Sequence, residues 1–203
     1  MADPRIDILD KTVCYDGFFR IERYRLRHHL FRGGWSRVLT RELFERGHAV
    51  AVLLYDPERD TVVLIEQFRV GAVEAPGDPW LVEIVAGVFD HPGEAPEDVA
   101  RREALEEANC QIQELVPICE YLVSPGGTSE RITLLCGRVD TTGVGGLHGL
   151  AEEAEDIRVS VVPRIQALEQ VEDGRIRCAA PIIALQWLQL HHQDLRARWG
   201  VRP

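Results

Sequence analysis

Three glutamates fall within five residues of one another in the run Arg102-Glu103-Ala104-Leu105-Glu106-Glu107. At 3.6 residues per helical turn, Glu103 and Glu107 stand one above the other and Glu106 lies beside them. Like charges at that spacing cost about 0.2–0.5 kcal/mol on an exposed helix. A hard divalent cation offsets the repulsion, and carboxylate oxygens are the donors that Mg²⁺ or Mn²⁺ prefers. A solvated helix face explains most isolated runs of this kind. Here Val99 and Ala100 share the arc of the cluster, which argues for partly sheltered carboxylates. On spacing alone, a cation site and an ion-pair network remain equally open. A second acidic run, Glu152-Glu153-Ala154-Glu155-Asp156, reads by itself as a solvated loop. Gly143, Gly145, Gly146 and Gly149 just before it would let that loop close over a ligand.

The rest of the composition narrows the partners. The 203 residues are 45% hydrophobic, enough for a real core, and 33 acidic residues against 23 Lys plus Arg leave a net charge of −10. Such a field repels an extended polyanion, so nucleic acid is not the expected partner. A small anion bridged by metal is compatible with it. Cys14, Cys110, Cys119, Cys136 and Cys178 are odd in number and contain no CxxC pair, which fits reduced thiols better than a disulfide framework or zinc site. The start, MADPRIDILDKTV, carries charges where a signal peptide needs an apolar run, and no stretch reaches membrane-span length. The expectation is a cytosolic protein with no membrane association.

The elements that must position these residues follow from period and punctuation. Thr12 to about Arg46 reads as three strands of a small antiparallel sheet, with alternation at Tyr24, Leu26, His28 and Leu30 and a turn at Arg32-Gly33-Gly34 before Trp35–Phe44. Ala49–Tyr55 and Val62–Gln67 form a buried hairpin about the turn Asp56–Asp60. A loop over Gly71–Pro79 leads to a strand over Trp80–Val85. Pro96 suits the first turn of a helix running to Ala108, and Asn109 suits a left-handed terminator. Strands are expected at Leu115–Val123, Ile132–Val139 and Ile157–Val162, a loop at Thr141–Asp156, and helices at Arg164–Glu172 and Ala179–Trp199. In the last helix Ile183, Leu185, Leu188 and Leu190 are the expected apolar positions. This order lacks regular βαβ alternation, so the class is α+β.

The segment from Gly87 to Cys110 resembles the Nudix box, Gly-x5-Glu-x7-Arg-Glu-Uaa-x-Glu-Glu-x-Gly-Uaa, where Uaa is a bulky or aliphatic residue. The chain supplies Gly87, Glu94, Arg102-Glu103, Glu106-Glu107 and Cys110 in that order. Two features depart: six residues separate Gly87 from Glu94, and Asn109 replaces the final Gly. The chain is therefore identified as similar to the Nudix hydrolases, with further likeness in FERGHAVAVLLYDPERD, VLIEQFR, SPGGTSE and ALQWLQLHH to the bacterial branch that cleaves ADP-ribose.

That resemblance implies an α/β/α sandwich with a mixed sheet over residues 47–203, preceded by a β-sheet domain over 1–46 that serves dimerisation and substrate contact. It implies Mg²⁺-dependent hydrolysis of ADP-ribose, or of another nucleoside diphosphate sugar such as GDP-mannose, by an intertwined homodimer. A non-catalytic nucleotide-binding regulator with the same fold is the alternative from another class. The implied metal ligands are the Ala86 carbonyl, Glu103, Glu107 and Glu155, with Glu153 as general base. The implied substrate contacts are Phe18, Arg41 or Arg46, Arg69, Val88, Ser124 and Glu130. Gly87, Glu94, Arg102 and Glu106 hold the motif, Arg102 by pairing with a carboxylate such as Glu94.

Overall fold

Every residue of Ala49–Asp56 but the first is buried, because the strand is covered on both faces. In a computed structural model that describes residues 3–89, 91, 93–150 and 155–201, the chain divides into two units. One runs up to His48 and takes in Leu122–Arg131; the other comprises Ala49–Tyr121 and the residues from Ile132 onward.

In the first unit β1 (Ile6–Asp16), β2 (Arg20–His28) and β3 (Leu39–Glu45) form an antiparallel sheet in that order. The first strand begins six residues earlier than Thr12, because Ile6 and Ile8 pair with His28 and Leu26 despite the charges between them. The second stops at His28, and Leu30 instead closes the turn by accepting from Gly33 and donating to Gly34. Gly33 and Gly34 have φ of 86° and 76°, a conformation that disfavours other residues there.

The second unit is built on β4 (Ala49–Asp56) and β5 (Thr61–Phe68), joined by a turn in which Asp56 accepts from the backbone of Glu58 and Arg59. These strands pair only from Leu54↔Val63 to Asp56↔Thr61 and then diverge. The chain from Trp80 fills the wedge as two strands: β6 (Trp80–Glu83) pairs with β5, and β7 (Val85–Val88) pairs with β4. The single strand expected over Trp80–Val85 is thus split at Ile84, since it serves two diverging partners. A short 3₁₀ turn, Val70–Ala72, occupies the start of the expected loop before it.

The remaining strands are β8 (Glu114–Leu122), β9 (Arg131–Arg138), β10 (Gly146–His148) and β11 (Ile157–Pro163), and the main order is β10-β11-β5-β4-β9-β8. β9 runs parallel to β4 while β5 and β11 are antiparallel, so the sheet is mixed. β10 lies within the segment read as wholly loop; its three residues pair with Val159–Ile157.

Alternate side chains of β4 face opposite layers. Val50, Val52 and Leu54 pack with Val99, Ala100, Ala104 and Ala108 of α1 (Pro96–Ala108). Ala51, Leu53 and Tyr55 pack with Ala167 of α2 (Arg164–Glu172) and Ala184, Leu185 and Leu188 of α3 (Ala179–Arg198). The result is the α/β/α sandwich expected, with an error of detail in α3: Leu190 is exposed, and Ala184 completes the buried stripe beside Leu185 and Leu188. Each fully buried Leu contributes roughly 1.5–3 kcal/mol, so this two-sided packing fixes where α1 stands against β7.

Candidate active site

The partner switch at Ile84 brings the end of β7 under α1. Pro96 starts that helix with Glu97 and Asp98 in its first turn, where the helix dipole favours negative charge, and Asn109 ends it at φ 48° and ψ 38°. The Asn109 N–H donates to the Leu105 carbonyl and the Cys110 N–H to that of Ala104. The left-handed stop proposed from the sequence is present, with Asn in place of Gly.

On the side of α1 facing β7, Glu107 is 3% exposed and accepts from the Ala86 N–H at 3.1 Å. Burial pushes its carboxyl up to about 8; the Ala86 N–H and Arg69 oppose the shift, whereas the charges of Glu103 and Glu155 add to it. Glu103 reaches the adjacent residue: a Cβ placed on Gly87 would lie 1.7 Å from Glu103 Oε1. Gly87 is thus required for space, since its backbone is not in the left-handed region. Glu155 meets Gly149 at the base of the late loop and accepts from the Leu150 N–H at 3.2 Å. Glu153 lies outside the described residues.

Arg102 binds this cluster from the side. Its Nη1 lies 2.7 Å from Glu103 Oε1 and 3.3 Å from Glu106 Oε2, and its Nε lies 3.7 Å from Glu94 Oε1. Its Nη2 donates to the Val88 carbonyl at 3.2 Å. The arginine therefore meets three carboxylates rather than Glu94 alone, and it ties α1 to the loop after β7.

The donor set fits a hard divalent cation. A carboxylate as buried as Glu107, close enough to two others to be driven toward its protonated form, is stabilised by positive charge supplied from outside the chain. Among the described residues no three acidic, His or Cys side chains already converge as a ligand cluster. One of the carboxylates, Glu103, is engaged by Arg102 Nη1 at 2.7 Å.

Arg69, the residue after β5, donates through Nε and Nη2 to Glu83 Oε2 at 3.0 and 2.8 Å. Glu83 was not singled out from the sequence, because its approach to Arg69 depends on the β5–β6 register, where Gln67 stands opposite Leu81. In the first unit Arg46 and Glu130 form an ion pair at 3.5 Å, and the Arg46 guanidinium lies 5.3 Å from the Phe19 ring centroid. Phe18 is almost wholly exposed and touches Phe19 edge-on at 4.7 Å. Arg41 stands apart from that pair and bonds the Thr40 carbonyl. The Ser124 carbonyl accepts from Gly127 and Thr128, as in an ordinary turn.

The model of the NUDIX domain family matches residues 45–180, which span β4 through the start of α3 and include all of this carboxylate cluster. The chain belongs to the Nudix family. Among Nudix relatives, the ADP-ribose pyrophosphatase of Escherichia coli (strain K12) is 53% identical over 195 residues, covering 96% of this chain and 93% of that one. The ADP-ribose pyrophosphatase of Haemophilus influenzae is 47% identical over 197 residues, covering 96% and 90%. A GDP-mannose pyrophosphatase of Enterobacter sp. (strain 638) is 33% identical over 188 residues, covering 92% and 96%. A crystal structure described as an ADP compounds hydrolase covers all of both chains with a TM-score of 0.71 at 19% identity, a likeness of fold.

Proposed function

We propose that this Nudix protein is a Mg²⁺-dependent hydrolase that splits the pyrophosphate of ADP-ribose into AMP and ribose 5-phosphate. The observation that carries the reading is the buried Glu107, packed against β7 and within the field of Glu103 and Glu155. The names of the relatives at 53% and 47% identity supply the substrate. The relative at 33% favours a second reading, hydrolysis of GDP-mannose by the same cluster.

In this reading Glu103, Glu107, Glu155 and the Ala86 carbonyl hold Mg²⁺, or Mn²⁺ in its place. Bound there, the metal neutralises phosphoryl oxygens and acidifies the attacking water. Glu153 takes the proton of that water as its oxygen bonds to one phosphorus and the bridging P–O bond breaks. Arg69 holds phosphate, while Arg102 keeps Glu103 in place and anchors α1 to Val88. Phe18, Arg41, Arg46, Ser124 and Glu130 contribute contacts to the base, ribose and phosphate.

The domain over residues 1–46 supplies dimer contacts, and Ile6, Ile8, Leu9 and Val13 expose apolar surface along β1 that suits burial against a second copy. No helix of the described residues is long and apolar enough to cross a membrane; the cytosol is the proposed location.

A substrate panel tests the choice. The expected result is a higher kcat/KM for ADP-ribose than for GDP-mannose; faster cleavage of GDP-mannose at limiting concentration would reverse it.

A further inference from the structure

Arg69 is held by a chain of contacts that runs back to the start of α3. Its two donors share Glu83 Oε2 with Gln67 Nε2, which lies 3.4 Å from the same oxygen. The other oxygen, Oε1, is engaged from a different element: Cys178 Sγ lies 3.3 Å from it. Cys178 is the residue immediately before α3, 95 positions from Glu83 in sequence. Its neighbour Arg177 donates to the carbonyls of Pro76 and Asp78, in the loop that leads into β6. Two consecutive residues therefore reach this region, Arg177 holding the backbone of the β5–β6 connection and Cys178 the carboxylate at the end of β6 that orients Arg69.

We propose that Cys178 is a positioning residue for the reaction, acting through Glu83 to hold the Arg69 guanidinium at the angle needed for a substrate phosphate. This rests on the hydrolase reading above. With both oxygens engaged, Glu83 cannot rotate about its terminal bond without losing a partner. An arginine so fixed presents its remaining edge in one direction, and the ordering is complete before substrate arrives.

The chemistry of the thiol agrees with a donor role. Burial, aided by the charge and hydrogen bond of Glu83, pushes Cys178 up to about 12, against the pull of Arg69 and Arg177. The group stays a thiol at neutral pH, with a proton to give to the carboxylate. A thiolate there would repel Glu83 and have no proton to donate to it.

Valine removes the donor while adding one methyl group, and serine keeps the donor. Losing one hydrogen bond to a charged group corresponds to roughly a tenfold effect. Cys178→Val is expected to lower kcat/KM about tenfold on the best substrate of the panel, and Cys178→Ser to stay within about threefold of the parent. In an Arg69→Ala background the Val substitution should have no further effect. The same tenfold loss in that background would show that Cys178 acts on the fold at large, which overturns the proposal. So would a Cys178→Val enzyme equal to the parent while Arg69→Ala is impaired.

A crystal structure of Cys178→Val reads the same point without turnover, and so separates this proposal from the choice of substrate. Displacement of Arg69 from Glu83 supports it; an Arg69–Glu83 pair still at 2.8 and 3.0 Å contradicts it.

Discussion

Gly87 shows most clearly how one side chain's absence makes room for another's function. The carboxylate of Glu103 occupies the space where a Cβ would stand, and the obstruction is the far end of a flexible side chain rather than backbone. Gly87→Ala is therefore expected to unfold near the parent's urea midpoint while displacing Glu103 by an ångström or more. A misplacement of that size costs roughly a hundredfold in rate. Activity and urea unfolding measured on the same preparation check the pair of outcomes; an unimpaired enzyme would mean that Glu103 works from another position. At this scale the sequence was informative about residue types and silent about pairings across the chain. The spacing of Glu103 and Glu107 put both on one face, but nothing local joins Arg46 to Glu130 or Arg69 to Glu83, which meet only through strand register and loop return.

At the scale of elements, helix α1 was legible to the residue because its two ends carry strong signals. Pro96 cannot sit comfortably in a helix interior, and Asn109 tolerates the left-handed conformation it adopts. Asn109→Ala is expected to cost about 1 kcal/mol in urea unfolding, and Asn109→Gly to cost nothing or to stabilise slightly. Equal midpoints for all three would show that the stop is held by packing alone. The strands were less legible. The split at Ile84 leaves no mark in the sequence, since the two halves differ only in the strands they pair with. The pairing of β10 was hidden for the opposite reason: Gly-rich sequence gives no alternation to read.

The turn between β4 and β5 adds a pH-dependent element. Asp56 is fully buried; burial alone would raise its pKa, but bonds from Thr141 and Arg59 outweigh that and bring it from 3.8 down to about 2. A carboxylate depressed by folding contributes stability above its unfolded pKa and loses it as pH falls through the folded one. The contribution of Asp56 is thus intact above 3.8 and fades toward 2. Asp56→Asn is expected to destabilise by about 2 kcal/mol at neutral pH, with a difference from the parent that shrinks through this window. Thermal melts from neutral pH to pH 2 check it, and a difference constant with pH would contradict the assignment.

For the whole molecule, composition excluded more than it identified. A net charge of −10 argued against nucleic acid, and the α+β class followed from the order of elements. The family came from a motif whose two departures proved compatible with the fold: Asn109 takes the terminator's conformation, and Gly87 still faces Glu103. The return of Leu122–Arg131 to the N-terminal unit was not legible, because the segment lies between two strands of the larger sheet. Local patterns do not say to which unit such an excursion belongs.

The proposed metal at Glu107 serves cleavage of ADP-ribose, and its removal is therefore the decisive perturbation. The most direct measurement is product formation from ADP-ribose by the parent and by Glu107→Gln, each with Mg²⁺ and with a chelator. The expected result is AMP and ribose 5-phosphate in equal amounts from the parent with Mg²⁺, loss of turnover on chelation, and a rate lower by orders of magnitude in a folded Glu107→Gln protein. An unchanged rate in Glu107→Gln, or cleavage that continues without divalent metal, would contradict it.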